Sequence, residues 1–509
     1  MQRTAQKRVF NNYSIGFISF IISFLQAIVT VPILLIYWGN DIYGIWIALF
    51  AGFTLLQTFD FGHQSFIGNL LNIEFHINKQ KFSEYLGSSI SIALLLGSLQ
   101  LTITILLIVT GYLNDFLGIS ILETDYSIIS ISLISLMLMW VIAGSVGGIL
   151  IKLLIPAGYM TQSLIWGIIF KLAQFLSLFF VVISGGKILE ASIAYSVVQL
   201  ILSLLVFRYI KNKLPEFYPW WKIRDLKTGF INLKKSTVLT INNALQQLSN
   251  NGLILFITNV FSTALVPAFT TVRTLTNTAT VFTNLFITSI QPDLIKYHAK
   301  QETEKIQSAL NANWFFSGLV VNTGLIILIP FAETIFRLWT NGLVSFDFRL
   351  FILLAASISI INFGAGLYNY LYGINKLYSI SIISFSRTII LFVFSFILAG
   401  EYGLPGIGLA VLISEIIASM VLPFFLVNKI LKQLNCKLPV KNFIIASSAP
   451  LLILSITVYS LILTKLSLII YLIALSLIVI VYIFNWTILE DEIKNRLRDL
   501  FSSLFSGSK

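Results

Sequence analysis

Four ionisable residues sit inside long apolar stretches: Lys171, Arg273, Arg387 and Glu415. Each lies about nine to eleven residues from the start of its stretch. At 1.5 Å per helical residue, that is roughly 15 Å deep, near the midplane of a bilayer core about 30 Å thick. An unpaired charge there costs at least about 2.5–3.5 kcal/mol, so each needs a partner or a task. One carboxylate cannot neutralise three cations. The excess positive charge points to an anionic ligand, such as a phosphate or diphosphate. Arg387 and Glu415 fall on consecutive stretches at similar depth. They are expected to form a structural ion pair, with gating or ion coupling as the alternative. Asp60, in Asp60-Phe61-Gly62-His63 near the end of its stretch, reads as a polar residue at a helix break in the interface. The functional alternative is a gate or coupling carboxylate.

Neutral polar residues recur at spacings of three and four, which places them on single helix faces. One stripe is Ser19, Ser23, Gln26 and Thr30. A second is Asn243, Gln247 and Asn250, flanked by Asn242, Gln246 and Asn251. A third is Thr270, Arg273, Asn277, Thr280 and Asn284, and a fourth Ser359, Asn362 and Asn369. Such stripes face protein or water, either as hydrogen-bonding glue between helices or as the wall of an aqueous cavity. The amide density of the second and third favours a cavity. Lys171 has Gln174 one turn away. The candidate ligand-binding set is therefore Arg273, Lys171, Asn277, Asn250, Asn243, Gln247 and Gln26.

The elements that carry these residues follow from composition. Of 509 residues, 57% are hydrophobic and only 11% charged, against roughly 25% charged in a soluble domain. Apolar stretches of about 18 residues or more recur from end to end, each long enough to span a bilayer. Helices are predicted at 13–37, 42–62, 86–111, 127–151, 161–184, 188–207, 237–258, 263–291, 312–330, 350–373, 378–398, 404–427, 443–464 and 467–487. The fold class is all-α, a polytopic membrane protein of about fourteen transmembrane helices. The first stretch follows Arg3, Lys7 and Arg8 but is too long for a signal-peptide core, and no small-residue cleavage site follows it. It is expected to be retained. A single cysteine, Cys436, allows no internal disulfide.

The basic residues set an orientation. With fourteen spans, 26 of the 30 Lys and Arg outside them fall on the side of the termini. A missed span would invert every later loop and blur this asymmetry. The positive-inside rule then predicts cytoplasmic termini, and it accounts for the net charge of +12 without a nucleic-acid partner. The longest polar loop, 208–236, divides the chain into an N-lobe (1–235, helices 1–6) and a C-lobe (236–441, helices 7–12). Helices 13 and 14 and a tail occupy 442–509. Six helices is an even number, so helix 7 enters in the direction of helix 1, as in a parallel repeat. The tail, 486–505, places Leu489, Ile493, Leu497, Leu500 and Leu504 among Lys and Arg, the pattern of an interfacial amphipathic helix.

Enzymatic signatures are missing. There is no G-x-x-x-x-G-K-[ST] loop and no H-E-x-x-H. The three histidines, His63, His76 and His298, lack metal-ligand spacing. No cofactor, metal or catalytic residue is predicted, and a transporter is expected rather than an enzyme.

Several segments together resemble the polysaccharide flippases, the Wzx-like branch of the MOP superfamily, which also holds the MATE drug exporters and lipid II flippases. They are Asn11-Asn12-Tyr13-Ser14, Pro32-Ile33-Leu34-Leu35, Trp38-Gly39 leading to Tyr43-Gly44-Ile45-Trp46, Asp60-Phe61-Gly62, and Gly403-Leu404-Pro405-Gly406-Ile407-Gly408-Leu409-Ala410. Arg273 falls where that family tends to place a basic residue. Asn250 and Asn251 stand where it often has an acidic one. The resemblance implies two lobes around a cavity lined by helices 1, 2, 7 and 8, and alternating access. It implies as substrate a polyprenyl-diphosphate-linked oligosaccharide for surface polysaccharide or O-antigen of lipopolysaccharide. It also implies a cytoplasmic-membrane setting, with a polymerase and glycosyltransferases as partners. A drug/ion antiporter is the alternative transporter, and a membrane-embedded polysaccharide polymerase or ligase is the alternative of another class. A cationic lumen disfavours cationic drugs, and the outer loops are too short for a catalytic domain.

Overall fold

In lipid, backbone polar groups must be satisfied within the chain, so apolar stretches fold as helices. The computed structural model describes residues 2–120, 124–463 and 468–488, with Asp491 and Lys494. The described residues form fourteen long helical rods and no strand. They are α1 (2–38), α2 (40–77), α3 (Lys79–Val109), α4 (Tyr126–Leu154), α5 (Met160–Ile183), α6 (Ile188–Lys213) and α7 (226–260). Then come α8 (Val266–Ala299), α9 (Thr303–Trp339), α10 (Phe348–Gly373), α11 (377–402), α12 (404–433), α13 (Val440–Leu463) and α14 (Leu468–Ile488). Each of the fourteen predicted spans has its counterpart. The protein is a multi-pass, all-α membrane protein.

Two helical runs, Ile21–Ile77 and Leu377–Gln433, are each 57 residues long. A straight helix of that length would measure about 85 Å, far more than one bilayer core. Both break at a glycine with positive φ: Gly39 at φ 68°, ψ −174° and Gly403 at φ 62°, ψ −141°. Only glycine enters that conformation without a Cβ penalty. Neither α7 nor α8 is among the eight continuous helices that are long and apolar enough to cross a membrane by composition. Their amides, hydroxyls and charge lower their hydropathy.

Helix ends overrun the predicted ones. Helix α2 continues to Ile77, and α3 starts at Lys79, capped by Asn78, whose side chain accepts from the amides of Gln80 and Lys81. The predicted loop 208–236 shrinks, because α6 runs to Lys213 and α7 begins at Leu226. Asp225 caps α7, and the Thr228 hydroxyl and amide with the Lys227 amide hold its carboxyl below the usual range. Polar, charged sequence at these ends is solvated helix rather than loop. Beyond Ile488, the predicted amphipathic tail lies outside the described residues, Asp491 and Lys494 excepted.

The chain packs as two compact units, Met1–Ala268 with Trp339–Val344, and Phe269–Leu338 with Ser345–Lys509. By packing, α7 belongs with the first six rods, although the repeat reading places it in the second lobe. The reason is close contact along α2: a Cβ on Gly62 would lie 2.3 Å from the Thr240 backbone, and one on Gly44 2.0 Å from the Thr263 carbonyl oxygen. Small residues let helix backbones approach where lipid supplies no hydrophobic drive for association.

Within each unit, contacts join segments that the charge count places on one face. In the first unit the Trp38 indole donates to the Gly186 carbonyl at 2.8 Å and the Asn40 amide to the Leu343 carbonyl at 3.0 Å. At the opposite end the Asp225 amide donates to Ser88 Oγ at 2.9 Å and Thr228 Oγ1 to Glu84 at 2.8 Å. In the second unit His298 meets the Tyr370 hydroxyl at 2.7 Å, and Gln307 donates to the Lys437 carbonyl at 2.7 Å.

Candidate functional site

The first polar stripe, on α1, meets Lys171 on α5. The ammonium donates to Ser19 Oγ at 3.1 Å and Ser23 Oγ at 3.0 Å, and Gln26 Nε2 donates to the Lys171 carbonyl at 2.9 Å. Among the described residues no carboxylate forms a salt bridge with this lysine. Beside it opens a cavity of about 190 Å³ within the first unit, its walls including Gln26, Lys171, Gln174, Trp46, Phe50 and Tyr195. Gln174 is held by a 2.9 Å hydrogen bond to Gln199 on α6. Trp46 and Phe50 are one turn apart on α2, with ring centroids 4.6 Å apart, and Phe50 meets Tyr195 edge-on at 5.2 Å. Lys171 and Gln26 were legible in the sequence. The aromatic wall and Gln199 were missed, although a glutamine in the middle of an apolar span was a usable signal.

Asp60 lies elsewhere in the same unit. The sequence suggests a helix break at the interface, but the structure places it mid-helix, since α2 runs on to Ile77. The residue is 1% exposed, and the Trp140 indole donates to Oδ2 at 2.9 Å. Trp140 opens a π-helical segment of α4, Trp140–Val146, whose Gly144 carbonyl accepts from Gln64 Nε2 at 3.1 Å. Such wide turns release backbone carbonyls that side chains must then satisfy. Ser145 and Gln100, both buried, lie beside the same carboxyl as further neutral hydrogen-bonding groups, and buried His63 sits one turn along α2. Neutral donors hold the carboxyl: no Lys or Arg among the described residues forms a salt bridge with it. Replacing Trp140 with Phe should therefore lower thermal stability in detergent by about 1.5–3 kcal/mol, the worth of a hydrogen bond to a charged group. Adding Asp60→Asn should recover part of that loss. An unchanged melting temperature in Trp140→Phe would show that the indole does not hold the carboxyl.

In the second unit Arg387 and Glu415 pair as expected. Arg387 Nε is 2.9 Å from Glu415 Oε1, and Nη2 donates to Oε2 at 3.2 Å and to Ser419 Oγ at 3.0 Å. Ser419 Oγ donates to Oε2 at 2.5 Å, closing a triad. Glu415 precedes a π-helical turn, Ile416–Val421, whose Ser419 carbonyl presses on α10 at Gly364, where a Cβ would be 1.8 Å away. Residues 416–421 carry no local signature of that turn. Arg273, half-buried on α8, also interacts electrostatically with Glu415. One carboxylate thus serves two arginines. Asn277 follows Arg273 by one turn, and the hydroxyls of Thr274, Thr276 and Thr280 bond back to carbonyls of their own helix. The side chain of Asn284 lies outside the described residues.

The amide stripe of α7 is not continuous. Asn243 and Gln247 are half-buried, and Gln247 accepts from Asn251 at 2.6 Å. A π-helical segment, Leu248–Gly252, then turns Asn250 out to an exposed position. An extra residue in a turn rotates everything after it, so the regular spacing that aligned Asn243, Gln247 and Asn250 does not hold. Neither Asn243 nor Gln247 lines the Lys171 cavity.

No family model matches the chain, and no curated protein matches it. Solved structures do. The lipid II flippase MurJ in an inward closed conformation is similar with a TM-score of 0.64 and 16% identity, covering 96% of this chain and 99% of that one. An inward-facing multidrug resistance MATE family transporter of the MOP superfamily gives 0.63 and 15%, covering 83% and 95%. An outward-facing MATE conformation gives 0.53 and 15%, covering 82% and 96%. At such identities the likeness is one of fold: this chain shares its fold with the lipid II flippase and the MATE transporters.

Proposed function

We propose that this protein is a flippase. It moves a polyprenyl-diphosphate-linked oligosaccharide across the cytoplasmic membrane by alternating access, for assembly of surface polysaccharide. The observation that carries the reading is Lys171: an exposed cation at midspan depth beside an open cavity of the first unit, held by two hydroxyls and without a carboxylate in salt-bridge range among the described residues. Keeping an ammonium there is costly unless an anion visits. Arg273, which shares Glu415 with Arg387, supplies a second cation. Cationic drugs would be repelled by both, which disfavours the antiporter reading. The fold shared with the lipid II flippase and with MATE transporters supports transport. Asp60 is the candidate for gating or coupling, and the donor glycosyltransferases and a polymerase are the natural partners. The test is export of surface polysaccharide in a strain lacking its own flippase, with membrane protein quantified in parallel. Failure to restore export with any lipid-linked glycan would remove the reading.

The same proposal puts both termini and the α6–α7 connection in the cytoplasm. A cysteine introduced at Lys213 should resist membrane-impermeant thiol reagents in intact cells and react after permeabilisation. Labelling from outside would invert the topology.

A further inference from the structure

The cavity between α1, α2, α5 and α6 has a division of character that Lys171 alone does not explain. One wall is a run of rings, Trp46, Phe50 and Tyr195, in mutual contact at 4.6 and 5.2 Å between centroids. The rest of the lining carries the polar groups Gln26, Thr30, Gln174 and Lys171, with Phe175 and Leu178 beside them. A bare phosphate would call for donors on all sides and leave the rings idle. An apolar or cationic drug would leave the amides and ammonium unmatched. A pyranose ring uses both: its C–H face is attracted to the negative face of an aromatic ring, and its oxygens take hydrogen bonds at the edge. The volume agrees. About 190 Å³ is room for many waters, enough to admit one sugar ring.

Charge narrows the choice. Lys171 is one ammonium, bound to two neutral hydroxyls and free of a salt bridge among the described residues. One positive charge balances one negative charge. We infer that this cavity is a subsite for a single monoanionic pyranose, a hexuronate of the carried glycan, with its ring stacked on the Trp46–Phe50–Tyr195 wall and its carboxylate on Lys171. The ring hydroxyls meet Gln26 and Gln174, and Gln199 fixes the second of these from behind. The inference rests on the flippase reading for its source of sugar, and it assigns the subsite to the glycan rather than to the diphosphate.

The full-length protein in detergent would be titrated with methyl β-glucuronide, methyl β-glucoside and inorganic phosphate, following saturation-transfer NMR of the sugars. Glucuronide should bind at least tenfold more tightly than glucoside, and phosphate should not displace it. Lys171→Met should bring that ratio close to one, and Lys171→Arg should retain it. Phe50→Ala should weaken both sugars together and leave the ratio unchanged. Size-exclusion profiles establish that each variant is folded. No sugar binding, a ratio near one in the unsubstituted chain, a ratio that survives Lys171→Met, or displacement by phosphate would each overturn the subsite. Glucuronide binding without restored export would sink the flippase reading and leave the subsite standing. Restored export with no preference for the acidic sugar would do the reverse.

Discussion

Arg273→Ala is expected to abolish polysaccharide export at normal protein abundance, and Arg273→Lys to retain part of it. The side chain is half-buried on α8, within the stripe of Thr270 and Asn277. Its electrostatic partner, Glu415, is already engaged by Arg387 at 2.9 and 3.2 Å and by Ser419. Removing Arg273 therefore leaves Glu415 with Arg387 and Ser419 as partners, and the fold should tolerate the change. The ligand is the party that loses. A guanidinium can take two phosphate oxygens at once through parallel N–H bonds, and an ammonium acts as a point charge. Truncating one member of a desolvated, hydrogen-bonded charge pair costs about 2–5 kcal/mol, a loss of roughly 30-fold or more in affinity. Lysine keeps the charge but not the fork, hence an intermediate phenotype. The measurement is surface polysaccharide in a flippase-deficient strain against the amount of membrane protein. Full export by Arg273→Ala would take this residue out of the mechanism and leave the α8 stripe as packing.

The sequence carried the fourteen spans because lipid allows little else: long apolar runs must be helices, and the break at Gly39 sits between two runs that cannot be one. It carried less about polar residues near span ends. Asp60-Phe61-Gly62-His63 resembles an interface because charge and glycine mark helix ends in most contexts. Here Gly62 serves close packing against Thr240, Asp60 is taken up by Trp140, and the helix continues. Nothing local to residue 60 reports a tryptophan 80 residues away. The α1 stripe was legible because Ser19, Ser23 and Gln26 follow ordinary helical periodicity, and Lys171 does meet them. The α7 stripe is harder to read from spacing. Its periodicity is broken by the π-turn at Leu248–Gly252, which has no sequence signature of its own. Charge was the most portable signal. Arg387 and Glu415 were matched by depth alone, although the arithmetic of one carboxylate for three cations did not reveal that Glu415 would be shared with Arg273.

That sharing makes the two halves of the ion pair unequal, and the inequality can be measured. Glu415→Gln withdraws a negative charge from both Arg387, whose side chain is 19% exposed, and Arg273. Breaking a buried pair from one side costs about 3–5 kcal/mol, because the remaining charge stays desolvated. Against a net stability of about 5–15 kcal/mol, that is a large share of the stability. Arg387→Met is milder. Glu415 keeps the Ser419 hydroxyl as donor and Arg273 as counter-charge, and methionine fills the apolar volume of the arginine stem. The double change Arg387→Met with Glu415→Gln should fall between the two, since it removes the stranded Arg387 but leaves Arg273 without its carboxylate. The expected order of folded protein and of detergent melting temperature is unsubstituted chain, Arg387→Met, double, Glu415→Gln. Equal losses in the two single variants would show that Arg273 does not depend on Glu415. If both single variants accumulate and melt like the unsubstituted chain yet fail to export, the pair works in gating or coupling and is not a structural strut.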